Sequence, residues 1–188
     1  MTRTAFSPLL ATALAAAFLN ACDQANTPPP NTNNSTNNTS NASGSNTTTP
    51  TWILAAAPAD AVPVATLKAS ATEGQHVVIR GRIGGRADPI SADSPVLIIM
   101  DPALASCADI EGDTCATPWD YCCETPASIA ANNATIQVVD AAGEPITGSL
   151  AAAGLEPLAE IIVVGVVAAR PDPSVLTIRA TGIHRVTP

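Results

Sequence analysis

The sequence predicts a mainly β protein: a small five-stranded barrel with one short helical segment and a long disulfide-stapled loop between the second and third strands. Five short runs rich in Val and Ile are each bounded by Pro, Gly, Asp or Asn. Runs of this kind are typical of strands in small barrels and sandwiches. Four cysteines fall between the second and third runs, in a stretch too long for a hairpin. We therefore place the β domain at residues 75–188.

The first predicted strand covers residues 76–83. Its apolar residues Val77, Ile79 and Ile83 alternate with Arg80 and Arg82, the period-two pattern of a half-buried strand. The other four predicted strands are residues 95–101, 134–140, 160–169 and 175–183. The fourth strand is apolar on both faces over residues 161–167 and is expected to be deeply buried.

Two stretches have helical character. Residues 64–72 predict a short helix inside a lead-in segment, residues 52–74, and the helix ends before Glu73 and Gly74. Residues 146–158 predict a helical segment between the third and fourth strands, although Gly148, Gly154 and Pro157 weaken it.

Five strands with a helical segment between the third and fourth resemble the OB fold, a small closed β-barrel. The strand glycines Gly81 and Gly165 and the closing pattern of residues 161–165 and 176–178 carry this resemblance, which covers residues 76–185. Residues 80–85 and 117–124 are also similar to segments of small uncharacterised exported proteins. OB domains commonly bind oligonucleotides or oligosaccharides, but a fold alone does not assign a function.

The amino-terminal segment has the build of a secretory signal. Arg3 precedes an apolar run, residues 9–19, which is too short to span a bilayer as a helix. The run ends in Leu19-Asn20-Ala21-Cys22, which resembles the lipobox of bacterial lipoproteins. The resemblance implies that residues 1–21 are removed and that Cys22 receives fatty acyl chains such as palmitate. Membrane lipid is then a partner, and the chain is anchored in the cell envelope, facing the periplasm or the exterior.

A tether follows the predicted lipid anchor, so that residues 22–51 separate the membrane from the domain. Residues 24–50 are nearly all Asn, Thr, Ser and Pro and carry no charged side chain. Such a segment buries too little apolar surface to offset the entropy of ordering. We expect it to be disordered.

Charge and composition exclude several function classes. The net charge of −8 disfavours nucleic acid as a partner, and no predicted strand carries the aromatic residues that stack single-stranded bases. Five arginines form either a local basic stripe or a set of solvated outer-face residues; they are Arg80, Arg82, Arg86, Arg179 and Arg185. The sequence contains two histidines and no hydrolase, zinc-protease or nucleotide-loop motif. We therefore expect no catalytic residue, no cofactor and no enzymatic activity.

The remaining four cysteines are Cys107, Cys115, Cys122 and Cys123. An even number of cysteines in an exported chain predicts two disulfides, with Cys122 and Cys123 bonded to Cys107 and Cys115 in either order. The alternative is a metal site or a thiol-redox site. Gaps of seven, six and no intervening residues are unlike the close pairs of zinc sites, so we favour disulfides and expect no resident metal.

The same stretch carries the most distinctive candidate ligand surface: Trp119, Asp120, Tyr121, Asp109, Glu111 and Asp113. Carboxylates beside aromatic rings bind cations, cationic groups or sugars. In the alternative interpretation, Trp119 closes the end of the barrel and the acids are solvated. The predicted function is a membrane-tethered, non-enzymatic binding or interaction module with an envelope protein or a small polar ligand as partner. The alternative function is metal binding or thiol-redox chemistry at the four cysteines.

Overall fold

The structure, a computed structural model, describes residues 49–187. The predictions for residues 1–21, for Cys22 and for most of the tether lie outside the described residues. Two short α-helices, six strands and one 3-10 turn make up the described part. In chain order these are β1 (Val62–Pro63), α1 (Val64–Ser70), β2 (His76–Ile83), β3 (Val96–Met100), a 3-10 turn (Cys107–Asp109), α2 (Pro126–Ala131), β4 (Asn133–Val138), β5 (Glu160–Val167) and β6 (Thr177–Arg185).

Five of the strands close into a mixed barrel, which confirms the predicted OB-like fold. Strand β2 lies antiparallel to β3 on one edge and to β5 on the other, and β3 lies antiparallel to β4. Strand β4 is parallel to β6, which returns antiparallel to β5 and completes the circle. The two-residue strand β1 adds a short parallel pairing to β2.

The five predicted strands are confirmed, and the first of them coincides with β2 at both ends. In β2 the side chains alternate as expected: Val77, Ile79 and Ile83 are buried, Arg80 is exposed and Arg82 is half-buried. The pairing of β5 with β6 shifts register between Val164 and Gly165, where Thr181 of β6 is left out of the pairing as in a β-bulge. A Cβ atom at Gly165 would overlap the carbonyl oxygen of Arg179, so only glycine allows this close approach.

Aliphatic side chains from all five barrel strands fill the barrel, and α1 and the lead-in segment contribute Val64, Leu67 and Trp52. The fully buried side chains include Ile79, Leu97, Ile136, Val163 and Ile178, one from each barrel strand. The first core residue in the chain is Trp52 and the last is Ile183. Residues 23–188 therefore contain the whole described fold.

The helical prediction for residues 146–158 is wrong. Successive i to i+3 hydrogen bonds run from Ala153 to Leu150 and from Gly154 to Ala151, but the structure has turns and no helix in this stretch. The reason is local, because Gly148 and Gly154 have φ angles of 110° and 81°, outside the helical region.

The disulfide staple is also corrected by the structure. The closest sulfur pairs among the four described cysteines are 3.4 to 3.7 Å apart, whereas a disulfide requires about 2.05 Å. All four described cysteines are free thiols. Side-chain and backbone hydrogen bonds hold the loop instead.

Candidate functional site

The segment between β3 and β4, residues 101–133, forms a long excursion from the barrel that we name the cysteine loop. Its two ends meet where the backbone N–H of Asp101 donates to the carbonyl oxygen of Asn132 at 2.8 Å. The Asp101 side chain is buried, and its two carboxylate oxygens accept from the backbone N–H groups of Ala65 in α1 and Ala103 in the loop. Asp101 therefore ties the start of the loop to the first turn of α1.

Lys68 in α1 holds the end of the loop. Its ammonium donates to the carbonyl oxygen of Ala130 at 2.6 Å and to the carbonyl and side-chain oxygens of Asn133 at 2.8 and 2.9 Å. Burial and then the nearby charge of Arg170 lower the pKa of Lys68. The sequence patterns did not single out Lys68 as a functional residue. The available signal was that it is the only lysine in the sequence and lies on the same helix face as Val64 and Leu67.

The 3-10 turn is fixed by Asp109. Its carboxylate accepts hydrogen bonds from the backbone N–H and the hydroxyl of Ser106, both at 2.8 Å, and forms an ion pair with Arg82 of β2. Burial acts to raise the pKa of Asp109, but the hydrogen bonds from Ser106 and the charge of Arg82 lower it overall. These contacts fasten the turn that carries Cys107 to the outside of the barrel.

Tyr121 anchors the middle of the loop. Its side chain is 0% exposed and lies against Gly84, where an added Cβ would be 2.9 Å from the ring. Its φ of 60° is in the left-handed region, which bulky side chains rarely adopt. Among the described residues the Tyr121 hydroxyl has no partner with hydrogen-bond geometry, and burial raises the pKa of Tyr121 against the opposing influence of Arg82.

Trp119 packs against the segment between β2 and β3. Its indole N–H donates to the carbonyl oxygen of Ala87 at 2.7 Å, and its own carbonyl oxygen accepts from the N–H of Gly85 at 2.7 Å. The side chain is half-buried and is outside the main hydrophobic core. The buried aromatic residue of the loop is thus Tyr121, and Trp119 retains an accessible surface.

The fold brings the four cysteine sulfurs together. The Sγ atom of Cys107 lies 3.4 Å from that of Cys122 and 3.7 Å from that of Cys123, and the sulfurs of Cys115 and Cys122 are 3.5 Å apart. A hydrogen bond of 3.1 Å from the N–H of Cys107 to the carbonyl oxygen of Pro118 folds the loop back on itself. Cys107 is 2% exposed, whereas Cys122 and Cys123 are exposed.

Two carboxylates flank the sulfurs. Asp120 accepts from the backbone N–H of Cys122 at 2.8 Å and from the hydroxyl of Thr117 at 2.7 Å, and it lies 4.0 Å from the Cys107 sulfur. Asp113 accepts from the backbone N–H of Cys115 at 2.6 Å and from the Cys123 thiol at 3.3 Å. Each carboxylate is therefore oriented by a hydrogen bond from the backbone of a cysteine.

The environment separates the acidities of the thiols. Burial acts to raise the pKa of Cys107, but hydrogen bonds with the backbone and side chains of Cys123 and Cys122 lower it overall. Hydrogen bonds with Cys107 and Cys115 raise the pKa of Cys122, and the hydrogen bond with Asp113 raises the pKa of Cys123 to about 11. These shifts favour the thiolate, the form that ligates metals, at Cys107 over Cys122 and Cys123.

The six residues of the predicted ligand surface have separate environments. Asp113 and Asp120 lie at the sulfur cluster, Asp109 is engaged with Arg82, Trp119 packs beside Ala87, Tyr121 is buried and Glu111 is exposed. Their role in ligand binding stays a prediction. Only the two aspartates adjoin the thiols.

The five arginines near the first and last predicted strands each bind an acceptor within the domain. Arg80 pairs with the side chain of Glu160, and Arg82 pairs with that of Asp109. The other three donate to backbone carbonyl oxygens: Arg86 to Asp88, Arg179 to Gly143 and Arg185 to Gly154. The arginines therefore also have a structural role on the outer face.

No helix among residues 49–187 has the length and apolar character needed to cross a membrane. No protein-family model, curated protein or solved structure matches the chain.

Proposed function

We propose that the chain is a membrane-tethered, non-enzymatic binding module whose ligand is a thiophilic metal cation held by the cysteine loop. One observation carries the proposal: four thiols from separate parts of the loop meet beside two carboxylates. Metal selection in proteins follows donor softness, and thiolates prefer Zn²⁺ and Cu⁺ over hard ions such as Mg²⁺ or Ca²⁺. The donor set therefore defines the chemical class of the ligand.

The sulfur spacing supports a tetrahedral site. With metal–sulfur bonds of about 2.3 Å, the edge of a tetrahedron joins sulfurs about 3.8 Å apart. Within the donor group that contains Cys107, Cys115 and Cys122, the Cys122 sulfur lies 3.4 Å from that of Cys107 and 3.5 Å from that of Cys115. An ion therefore needs small movements of exposed thiols and no refolding of the backbone.

The orientation of the carboxylates adds a further argument. Ligands in metal sites are usually fixed by outer hydrogen bonds, which raise affinity by limiting their freedom. The side chain of Asp120 is fixed by Thr117 and by the N–H of Cys122. The irregular sequence gaps, which argued against zinc, do not limit the site because the 3-10 turn and the Tyr121 anchor set the sulfur positions.

The non-enzymatic and membrane parts of the proposal have separate support. The two histidines are far from the loop in sequence: His76 is exposed, and His184 contacts the carbonyl oxygen of Leu54 at 3.0 Å. The tether is inferred from the sequence of residues 1–51, in which Cys22 is the acylated residue and the linker displays the module at the envelope.

The test is a metal titration of residues 23–188, a chain that lacks Cys22 and keeps the whole described fold. The protein is kept reduced by a phosphine, titrated with Zn²⁺ and in a separate sample with Cu⁺, and measured by native mass spectrometry. We expect the wild type to bind Zn²⁺. We expect no Zn²⁺ in a variant in which Ser replaces all four cysteines of the loop. Asp172→Asn, a change in the exposed β5–β6 turn, is the matched control, and circular dichroism checks that each variant folds.

Two results would overturn the proposal. One is a reduced, folded wild-type chain that retains no Zn²⁺ and no Cu⁺ in the spectrum. The other is quantitative disulfide formation in protein isolated from the envelope, which would remove the ligands.

A further inference from the structure

The six donors of the cysteine loop divide into two groups. Cys107, Cys115, Cys122 and Asp120 form the first group, and Cys107, Cys123 and Asp113 form the second. Within each group all donor atoms lie within 4.8 Å of one another. Cys107 belongs to both groups, and it is the buried sulfur that contacts Cys122 and Cys123 at once.

One tetrahedral ion does not use this donor set in full. Such an ion takes four ligands, and the first group supplies three sulfurs and one carboxylate. Cys123 and Asp113 are then left beside the first ion, with a distance of 3.3 Å between the Cys123 sulfur and the Asp113 carboxylate. The Cys123 sulfur contacts both Cys107 and Asp113, so the two leftover donors adjoin the shared sulfur.

Resting on the metal-binding function proposed above, we propose that the cysteine loop holds two thiophilic divalent cations bridged by the Cys107 thiolate. The first ion is bound by Cys107, Cys115, Cys122 and Asp120. The second is bound by Cys107, Cys123 and Asp113, with its fourth position open to water or to an added ligand. Binding releases the four thiol protons to solvent and forms metal–sulfur bonds without any change of oxidation state.

Electrostatics favours two ions over one. Four thiolates and two carboxylates carry six negative charges, and a single divalent ion would leave most of them uncompensated in a small volume. Arg82, which contacts Ser106 and Asp109 of the loop, already forms an ion pair with Asp109. The second cation removes part of the remaining repulsion, and the bridging position suits Cys107 because its buried sulfur contacts both Cys122 and Cys123.

The two groups differ in completeness and exposure. The first has four donors and includes the buried Cys107 and the half-buried Cys115 and Asp120. The second has three donors, and its own members Cys123 and Asp113 are exposed. We expect the second ion to bind more weakly, to exchange faster and to be the one that reaches external ligands.

The test counts ions in native mass spectra of reduced residues 23–188 during Zn²⁺ titration, with a chromophoric chelator to rank the affinities. We expect two ions for the wild type and one for Cys123→Ser and for Asp113→Asn. Asp172→Asn is expected to keep both. Cobalt spectra give an independent readout, because thiolate-to-cobalt absorption should rise in two steps in the wild type and in one step in Cys123→Ser.

The outcomes separate this inference from the proposed function. Two ions in the wild type and one in both second-group variants support it. A single tightly bound ion in the wild type, or two ions that persist in Cys123→Ser, would overturn the bridged pair and leave a one-metal function intact. No bound ion in the reduced, folded chain would overturn both.

Discussion

The buried hydroxyl of Tyr121 gives a sharp prediction about stability. The ring is 0% exposed and the hydroxyl has no partner among the described residues. An unsatisfied buried polar group costs about 1–3 kcal/mol. Replacing Tyr121 by Phe removes this cost and keeps the ring, so we expect Tyr121→Phe to raise the free energy of unfolding by about 1 kcal/mol.

Truncating Tyr121 to Ala should instead lower the free energy of unfolding. Tyr121→Ala removes the whole buried ring, and changes of this type cost about 3–5 kcal/mol. The ring packs on Gly84 and holds the loop between Trp119 and Cys122 against the barrel. The Ala variant should therefore also bind Zn²⁺ more weakly, whereas the Phe variant should bind it as the wild type does.

Urea unfolding followed by circular dichroism measures both changes, with Thr66→Ala on the exposed face of α1 as a control. The free energies are compared for metal-free, reduced protein, so that ligand binding does not contribute. A loss of about 1 kcal/mol or more in Tyr121→Phe would show that the hydroxyl makes a stabilising hydrogen bond. That result would refute the reasoning from the unsatisfied group.

Three further changes test other parts of the fold by the same unfolding assay. Lys68→Met removes the donor to three oxygen atoms of Ala130 and Asn133 and should cost about 2–4 kcal/mol; a cost near zero would exclude a role for Lys68 in holding the loop. Gly165→Ala should cost about 3 kcal/mol or prevent folding, since its Cβ would meet backbone; wild-type stability would contradict the bulge geometry. Asp109→Asn should cost about 1 kcal/mol at neutral pH because the carboxylate is partly screened by solvent. Folding lowers the pKa of Asp109. The stability that its carboxylate contributes is therefore fully present above the unfolded-state pKa of about 3.9, and it is lost as the pH falls through the lower pKa of the folded state. The difference between wild type and Asp109→Asn should therefore vanish in acid, and a difference that grows in acid would contradict this assignment.

The strands were predictable because their pattern is local. Apolar alternation over residues 76–83 and the uninterrupted run at residues 161–167 are visible in the sequence, and both are strands of the barrel. The closure of the barrel could be expected from strand number and order. The two-residue strand β1 could not, because only the tertiary fold places Val62 beside Ile79.

Helix α2 was not predicted although its signals are present in the sequence. Thr125 accepts from the N–H of Ser128 as an N-cap, and Pro126 occupies the first helical turn. The helix is only six residues long and follows directly on the cysteines, so its pattern is easily assigned to an irregular loop. The contacts of Lys68 with Ala130 and Asn133 span more than sixty positions, so no local pattern reports them.

The cysteines show where sequence spacing fails. Counting predicts two disulfides, but this inference treats the loop as a flexible chain. In the structure a 3-10 turn, the left-handed residue Tyr121 and a hydrogen bond from Cys107 to Pro118 bring the sulfurs together. The positions of donor atoms follow from these bends and not from the number of residues between them.

The anchors of the cysteine loop hold it in place without a disulfide crosslink, as the proposed metal binding requires. Asp101 and Lys68 hold its two ends, while Asp109 and Tyr121 hold its middle. None of these contacts involves a cysteine sulfur, so the barrel and its core do not depend on what the sulfurs bind. Small zinc domains without a core unfold when the metal is removed. Here the barrel supplies the ordering of the loop. Under the proposed function, this would lower the entropic cost of binding an ion and would let the thiols take up and release metal while the domain stays folded.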